Sequence, residues 1–115
     1  MSDCLFCKIS KGEIPADIVF KNGKVIAFND INPCAKIHIL FIHREHTKNI
    51  SELSVNNPEQ LADVFQAITQ YAKENGLAKD GFRIVTNQGP NSGQAIYHTH
   101  FHVLGGEKLS AGMGC

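Results

Sequence analysis

Three histidines recur at alternate positions in "YHTHFHVLGG", residues 97–106: His98, His100 and His102. On a strand, alternate side chains share a face, so the three imidazoles line one side while Tyr97, Thr99, Phe101 and Val103 take the other. At about 3.3 Å of rise per residue, the outer two stand about 13 Å apart. A zinc–nitrogen bond spans only about 2.1 Å, so two neighbours could share an ion and three on a regular strand could not. Imidazole also does covalent chemistry. With an unperturbed pKa of about 6.5 it is largely neutral at pH 7, and its nitrogen can attack phosphorus while flanking imidazoles stabilise phosphoryl charge or move a proton. That chemistry calls for a central histidine with a neighbour on each side. A further histidine, His38, stands in the apolar run "KIHILFI". If the last two strands pair as a hairpin, Asn87 and the turn through Gly89, Gly93 and Gln94 in "QGPNSGQA" lie near the start of the triad, where glycines let backbone amides approach an anion.

A second grouping is Cys4 and Cys7, spaced CxxC, which is half of a zinc site or a redox pair. No thioredoxin-like βαβ pattern surrounds it, and His46 and His98 are the candidates to complete four ligands, with His43 the alternative to His46. Four protein ligands would close the coordination sphere, making the zinc a structural tie and not an activator of water. Cys34 and Cys115 stand alone. A cytoplasmic setting is expected, because no apolar run approaches the roughly 18 residues of a membrane span and "MSDCLFCKIS" lacks a signal-peptide core. In that compartment the four cysteines are expected to be free or metal-bound.

The elements that must position these residues fit one domain over residues 1–115 of the 115-residue chain. Apolar residues make up 43%, charged residues 19%, and the formal net charge is zero, so no field attracts polyanions and nucleic-acid binding is disfavoured. A short helix is expected over Leu5 to Lys11, ended by Gly12 and Pro15. "DIVFK" and "KVIAFND" read as a hairpin around Asn22-Gly23, and "KIHILFI" as an interior strand. "NPEQLADVFQAITQYAKENG" is the clearest helix: Leu61, Val64, Phe65, Ile68, Tyr71 and Ala72 share a face, with Asn57 and Gln60 as a capping pair. "GFRIVTN" and "YHTHFHVLG" complete an α+β antiparallel domain of five short strands, one long helix and one or two short ones.

The stretches "CLFCKISKGEIPADIVF", "VIAFNDINP", "KIHILFI" and "GQAIYHTHFHVLGG" resemble the histidine triad (HIT) nucleotide-binding proteins, specifically the small Hint branch of nucleoside phosphoramidases. The resemblance implies a homodimer whose sheets join into one, and hydrolysis of the phosphorus–nitrogen bond in adenosine or guanosine 5′-phosphoramidates. His100 would then be the nucleophile, forming a nucleotidyl-histidine; His102 would contact the phosphate, and His38 would support the nucleophile from the adjacent strand. Asp30 matches the carboxylate that binds the ribose, with Ile31 beside it. Leu5, Phe6, Ile9 and Phe28 match the slot for the purine base, and Asn87, Gly93, Gln94 and Ala95 the phosphate side. By similarity to some prokaryotic triad proteins, Cys4, Cys7, His46 and His98 would hold structural zinc; no organic cofactor is implied. Without the resemblance, Asp30 reads as a turn residue, and Leu5, Phe6, Ile9 and Phe28 as core. Three departures stand out: Ala95 replaces a hydroxyl residue, Thr99 is a polar spacer within the triad, and the tail "EKLSAGMGC" lacks tryptophan. Two other functions remain open, a dinucleoside polyphosphate hydrolase with the same nucleophile and a non-catalytic nucleotide-binding module that docks a partner.

Overall fold

The computed structural model describes residues 3–112. The elements run α1 (Leu5–Ser10), β1 (Ile18–Lys21), β2 (Val25–Asn29), β3 (Ile37–His43), α2 (Ile50–Asn56), α3 (Pro58–Glu74), α4 (Leu77–Asp80), β4 (Arg83–Val85) and β5 (His100–Gly105). All five strands form one antiparallel sheet in the order β1-β2-β3-β5-β4, so the histidine strand β5 sits beside the interior strand β3.

The pleat sorts β3 and β5 into two faces. Ile39, Phe41, Phe101 and Val103 point to one side, where α3 covers them with Val64, Ala67, Ile68 and Ala72 in the larger core. Leu40 and Ile42 point to the other, opposite His102 and His100 in the ladder, and join Ile26 and Phe28 beneath Phe6 and Ile9 of α1. The long amphipathic helix thus seals one face, while a six-residue helix covers part of the other and leaves room for imidazoles.

Several local expectations are corrected. The triad strand begins at His100, so His98 precedes it: Thr99 N–H is diverted to the carbonyl of Thr47 at 2.8 Å. Asn57 does not cap α3 through its side chain; it ends α2, with its backbone N–H on Leu53 O. Gln60, assigned to a capping box, turns instead to Glu45, 2.7 Å away. The first hairpin has a three-residue connection in which the Asn22 side chain accepts from the N–H groups of Lys24 and Val25. Among the described residues the short α-helices number three where one or two are expected; neither α2 nor α4 is foreseen by position, and for α2 the signal is Asn49, whose side chain caps Glu52 N–H at 3.0 Å. Cys4 and Cys7 are free thiols, but Cys34 is disulfide-bonded, against the expectation of unpaired cysteines. Cys115 lies outside the described residues. Among those described, no helix is long and apolar enough to cross a membrane.

Candidate active site and thiol–imidazole cluster

The chemistry of the histidine row depends on which nitrogen of each ring carries the proton, and backbone groups decide it. His100, only 9% exposed, sets Nδ1 at 2.8 Å from the carbonyl oxygen of His98. A carbonyl only accepts, so Nδ1 carries the hydrogen and Nε2 keeps its lone pair. Burial pushes the His100 pKa below its ordinary value, the His98 carbonyl and then Asp30 partly opposing. At neutral pH His100 is a neutral imidazole with a free Nε2, the form a nucleophile needs.

His102 has the reverse arrangement. The N–H of Cys34 donates to His38 Nδ1 at 3.1 Å, so in neutral His38 the ring proton sits on Nε2. That nitrogen lies 2.9 Å from His102 Nδ1 and 3.4 Å from Asp30 Oδ2. His102 therefore accepts at Nδ1 and offers Nε2–H outward as a donor. Burial first, then the neighbouring His100 and His38, depress its pKa to about 4. His38, expected to support the nucleophile, is in contact with His102.

The remaining expected residues divide. Phe6 and Phe28 meet edge to face at 5.3 Å, and the Phe6 ring also stands 5.1 Å from His100. Together with Ile9 they form a buried apolar wall beside the nucleophile. Leu5 is 41% exposed and Ile31 91% exposed, and neither is part of that buried cluster. Asp30 combines the turn and site readings: Oδ1 accepts from Asn32 N–H, and Oδ2 faces His38. Gln94 turns its side chain into the loop. Its Oε1 accepts from Gly89 N–H, and its Nε2 donates to the carbonyls of Lys48 and Ile96, which staples the loop shut. The amides of Gly93 and Gln94 are likewise turned inward, onto the carbonyls of Pro90 and Gly89. Asn87 is half-buried and Ala95 exposed. The large cleft of about 650 Å³ near Leu77, Arg83 and Lys108 lies at the opposite end of β5 from His100.

Cys4, Cys7, His46 and His98 come together as the CxxC reading requires, their ligand atoms all within 4.8 Å of one another. His98 Nδ1 is 3.3 Å from Cys4 Sγ, 3.5 Å from Cys7 Sγ and 3.2 Å from His46 Nδ1. A tetrahedron with zinc bonds of about 2.3 Å to sulfur and 2.05 Å to nitrogen has edges of about 3.6 Å between S and N and 3.3 Å between two N atoms, so the set fits a zinc ion. The His98 tautomer fits as well. Its Nε2 lies 3.0 Å from the carbonyl of His43 and must carry the proton, which leaves Nδ1 free to ligate. Burial depresses its pKa to about 4, keeping it neutral. Burial, reinforced by Cys4, pushes the Cys7 thiol up, a cost that coordination to a dication would offset. His43 stands outside this group: its Nε2 faces Asp63 Oδ2 at 3.2 Å and its Nδ1 accepts from Glu45 N–H. Its carbonyl is the functional part, and residue type alone carries no signal for that.

Asp30, His38 and His102 form a second compact group of potential ligands. There a metal fits poorly, since the nitrogen His38 would present is the one that Cys34 forces to carry a proton.

The HIT domain family model matches residues 11–109. The chain is 36% identical over 107 residues to the purine nucleoside phosphoramidase of Escherichia coli K12, covering 93% of this chain and 90% of that protein. It is 36% identical over 105 residues to protein HitA of Neisseria gonorrhoeae, covering 91% and 97%. Among solved structures, a histidine triad protein from Clostridium difficile superposes with a TM-score of 0.93 at 37% identity, covering 98% of each chain. A HIT family hydrolase from Legionella pneumophila gives 0.90 at 39% identity, covering 95% and 97%.

Proposed function

The chain belongs to the HIT domain family, and from that membership we propose that it is a purine nucleoside phosphoramidase, hydrolysing the P–N bond of adenosine or guanosine 5′-phosphoramidates. The observation that carries this reading is the free Nε2 of His100, neutral at pH 7 and set beside an apolar wall. His100 Nε2 attacks phosphorus; the P–N bond breaks, and the amine leaves after its nitrogen takes up one proton from solvent, which the water of the second step gives back. As Nε2 becomes bonded, positive charge develops on the ring, and the His98 carbonyl on Nδ1–H stabilises it. His102 presents Nε2–H to a phosphoryl oxygen, held in that tautomer by His38. Water then attacks phosphorus, releasing the nucleoside monophosphate and restoring His100. Phe6, Ile9 and Phe28, with Leu5 at the rim, receive the purine; Asp30 accepts from the ribose hydroxyls through the lone pairs its turn leaves available. Asn87 and Ala95 border the phosphate, while Gly93 and Gln94 shape that loop.

The thiol–imidazole cluster holds one structural zinc in this reading, which when bound ties the amino-terminal segment to the sheet. The protein works in the cytoplasm as a homodimer. The pairing is supported by β4, a three-residue edge strand with Ile84 exposed, and by exposed Phe65 on α3.

The test is turnover of a defined adenylyl-amine by the wild type and by His100→Ala, with acid-quenched mass measurement. An adenylylated histidine in the wild type and loss of turnover in the variant are expected. Equal rates would remove the mechanism, and faster hydrolysis of diadenosine polyphosphates would reassign the substrate.

A further inference from the structure

The nucleophile occupies the first residue of β5, where the sheet supports it least. On the β3 side the ladder reaches His100, opposite Ile42, but on the β4 side it stops two residues later, at Val85 opposite His102. Thr86, the first residue beyond β4, bridges the gap with its side chain: its Oγ1 donates to the His100 carbonyl at 2.8 Å.

The peptide unit before the nucleophile is held in a different way. A peptide is planar, so the His98 carbonyl and the Thr99 N–H turn together. The carbonyl receives His100 Nδ1–H, and the N–H donates to Thr47 O at 2.8 Å. Around that bond the Thr47 and Thr99 hydroxyls meet at 2.7 Å, and Thr99 Oγ1 also approaches Thr47 O at 3.3 Å; both residues are 4% exposed. Whatever fixes Thr47 against Thr99 fixes the plane whose other edge sets the tautomer of the nucleophile.

We propose that Thr47, Thr86 and Thr99 are positioning residues for His100, their hydroxyls holding the main chain on both sides of it so that the ring keeps its proton on Nδ1 and its lone pair toward phosphorus. The proposal rests on reading His100 as the nucleophile. It assigns a purpose to the polar spacer Thr99, whose hydroxyl is buried against Thr47. Buried hydroxyls paired only for stability make a different prediction, a lower melting temperature with unchanged chemistry.

The experiment compares Thr86→Val and Thr99→Val with Thr86→Ser and Thr99→Ser in the full chain, using the same adenylyl-amine, alongside His100→Ala. Each valine variant is expected to lower kcat about tenfold with KM within about twofold, since misplacing a reacting group costs rate more than binding. The serine variants, which keep the hydroxyl, recover most of it. Nitrogen-15 spectra of the imidazoles should show His100 losing its uniform Nδ1–H tautomer in the valine variants. Should Thr99→Val fail to fold, the double variant Thr47→Val/Thr99→Val leaves no orphaned hydroxyl and serves in its place. Unchanged kcat beside a lowered melting temperature, or serine variants as slow as the valines, would overturn the threonine proposal alone. Full turnover in His100→Ala would overturn it together with the nucleophile reading.

Discussion

Two clusters built from overlapping residue types lie on the same side of the sheet, and their difference is one of proton placement. In the Cys4, Cys7, His46 and His98 group, the His43 carbonyl claims the N–H of His98 and turns a bare nitrogen inward. In the Asp30, His38 and His102 group, the Cys34 amide claims the bare nitrogen of His38 and turns an N–H inward. The first arrangement gathers lone pairs and suits a cation. The second passes an N–H to His102, whose own N–H then faces out and suits an anionic phosphate. Ligating residues stand close together in both, and it is the backbone partner that gathers lone pairs in one and presents an N–H in the other.

The sharpest way to break this contrast is to remove a thiol. Cys7→Ser should lower zinc from about one per chain to near zero and reduce the melting temperature by about 10 °C or more, read by metal analysis and calorimetry. Asp30→Asn should leave zinc content unchanged; metal loss in that variant would show that the clusters are not distinct. A smaller effect is expected at His38. His38→Phe removes the group that orients His102 and should lower kcat/KM about 10- to 100-fold while zinc stays bound. A loss as complete as that of His100→Ala would mean that His38 acts on the nucleophile directly.

The smallest effect is in pH dependence. Burial lowers the pKa of His100 and brings that of His102 to about 4, so activity should persist as pH falls through 6 and its acid limb should lie below the ordinary histidine value of about 6.5. The sign for stability is the same. Unfolded His102 binds its proton at about 6.5 and folded His102 only near 4, so its contribution is present above pH 6.5 and is lost as pH falls through that window. A kcat/KM profile with its acid limb at or above 6.5 would show that the rings are more open to water than their burial implies.

Periodicity carried the architecture into view. The spacing of Leu61, Val64, Ile68 and Ala72 predicts α3, and alternation places Phe101 and Val103 against it with His100 and His102 on the opposite face. CxxC spacing identified the thiol pair. What stayed hidden has physical causes. Irregular backbone breaks the period at Thr99, so His98 leaves the strand and meets the thiols while His100 stays in the sheet. Tautomers are set by carbonyls and amides that every residue possesses, so no residue type announces them. Gln94 shows the converse: its place before the triad suggested a phosphate contact, but a buried amide must satisfy its polar atoms, and nearby backbone does so first.

Main-chain control of the rings also bears on how the protein can change over generations. The Cys34 N–H, His43 carbonyl and His98 carbonyl survive almost any substitution at those positions, because replacing a side chain does not delete a peptide group. Residue 34 can therefore drift, with respect to the His38 tautomer, through every side chain except proline, whose nitrogen has no hydrogen to give. The proton pattern is heritable through the path of the chain and shielded from most point mutations, which leaves the surrounding surface free to vary.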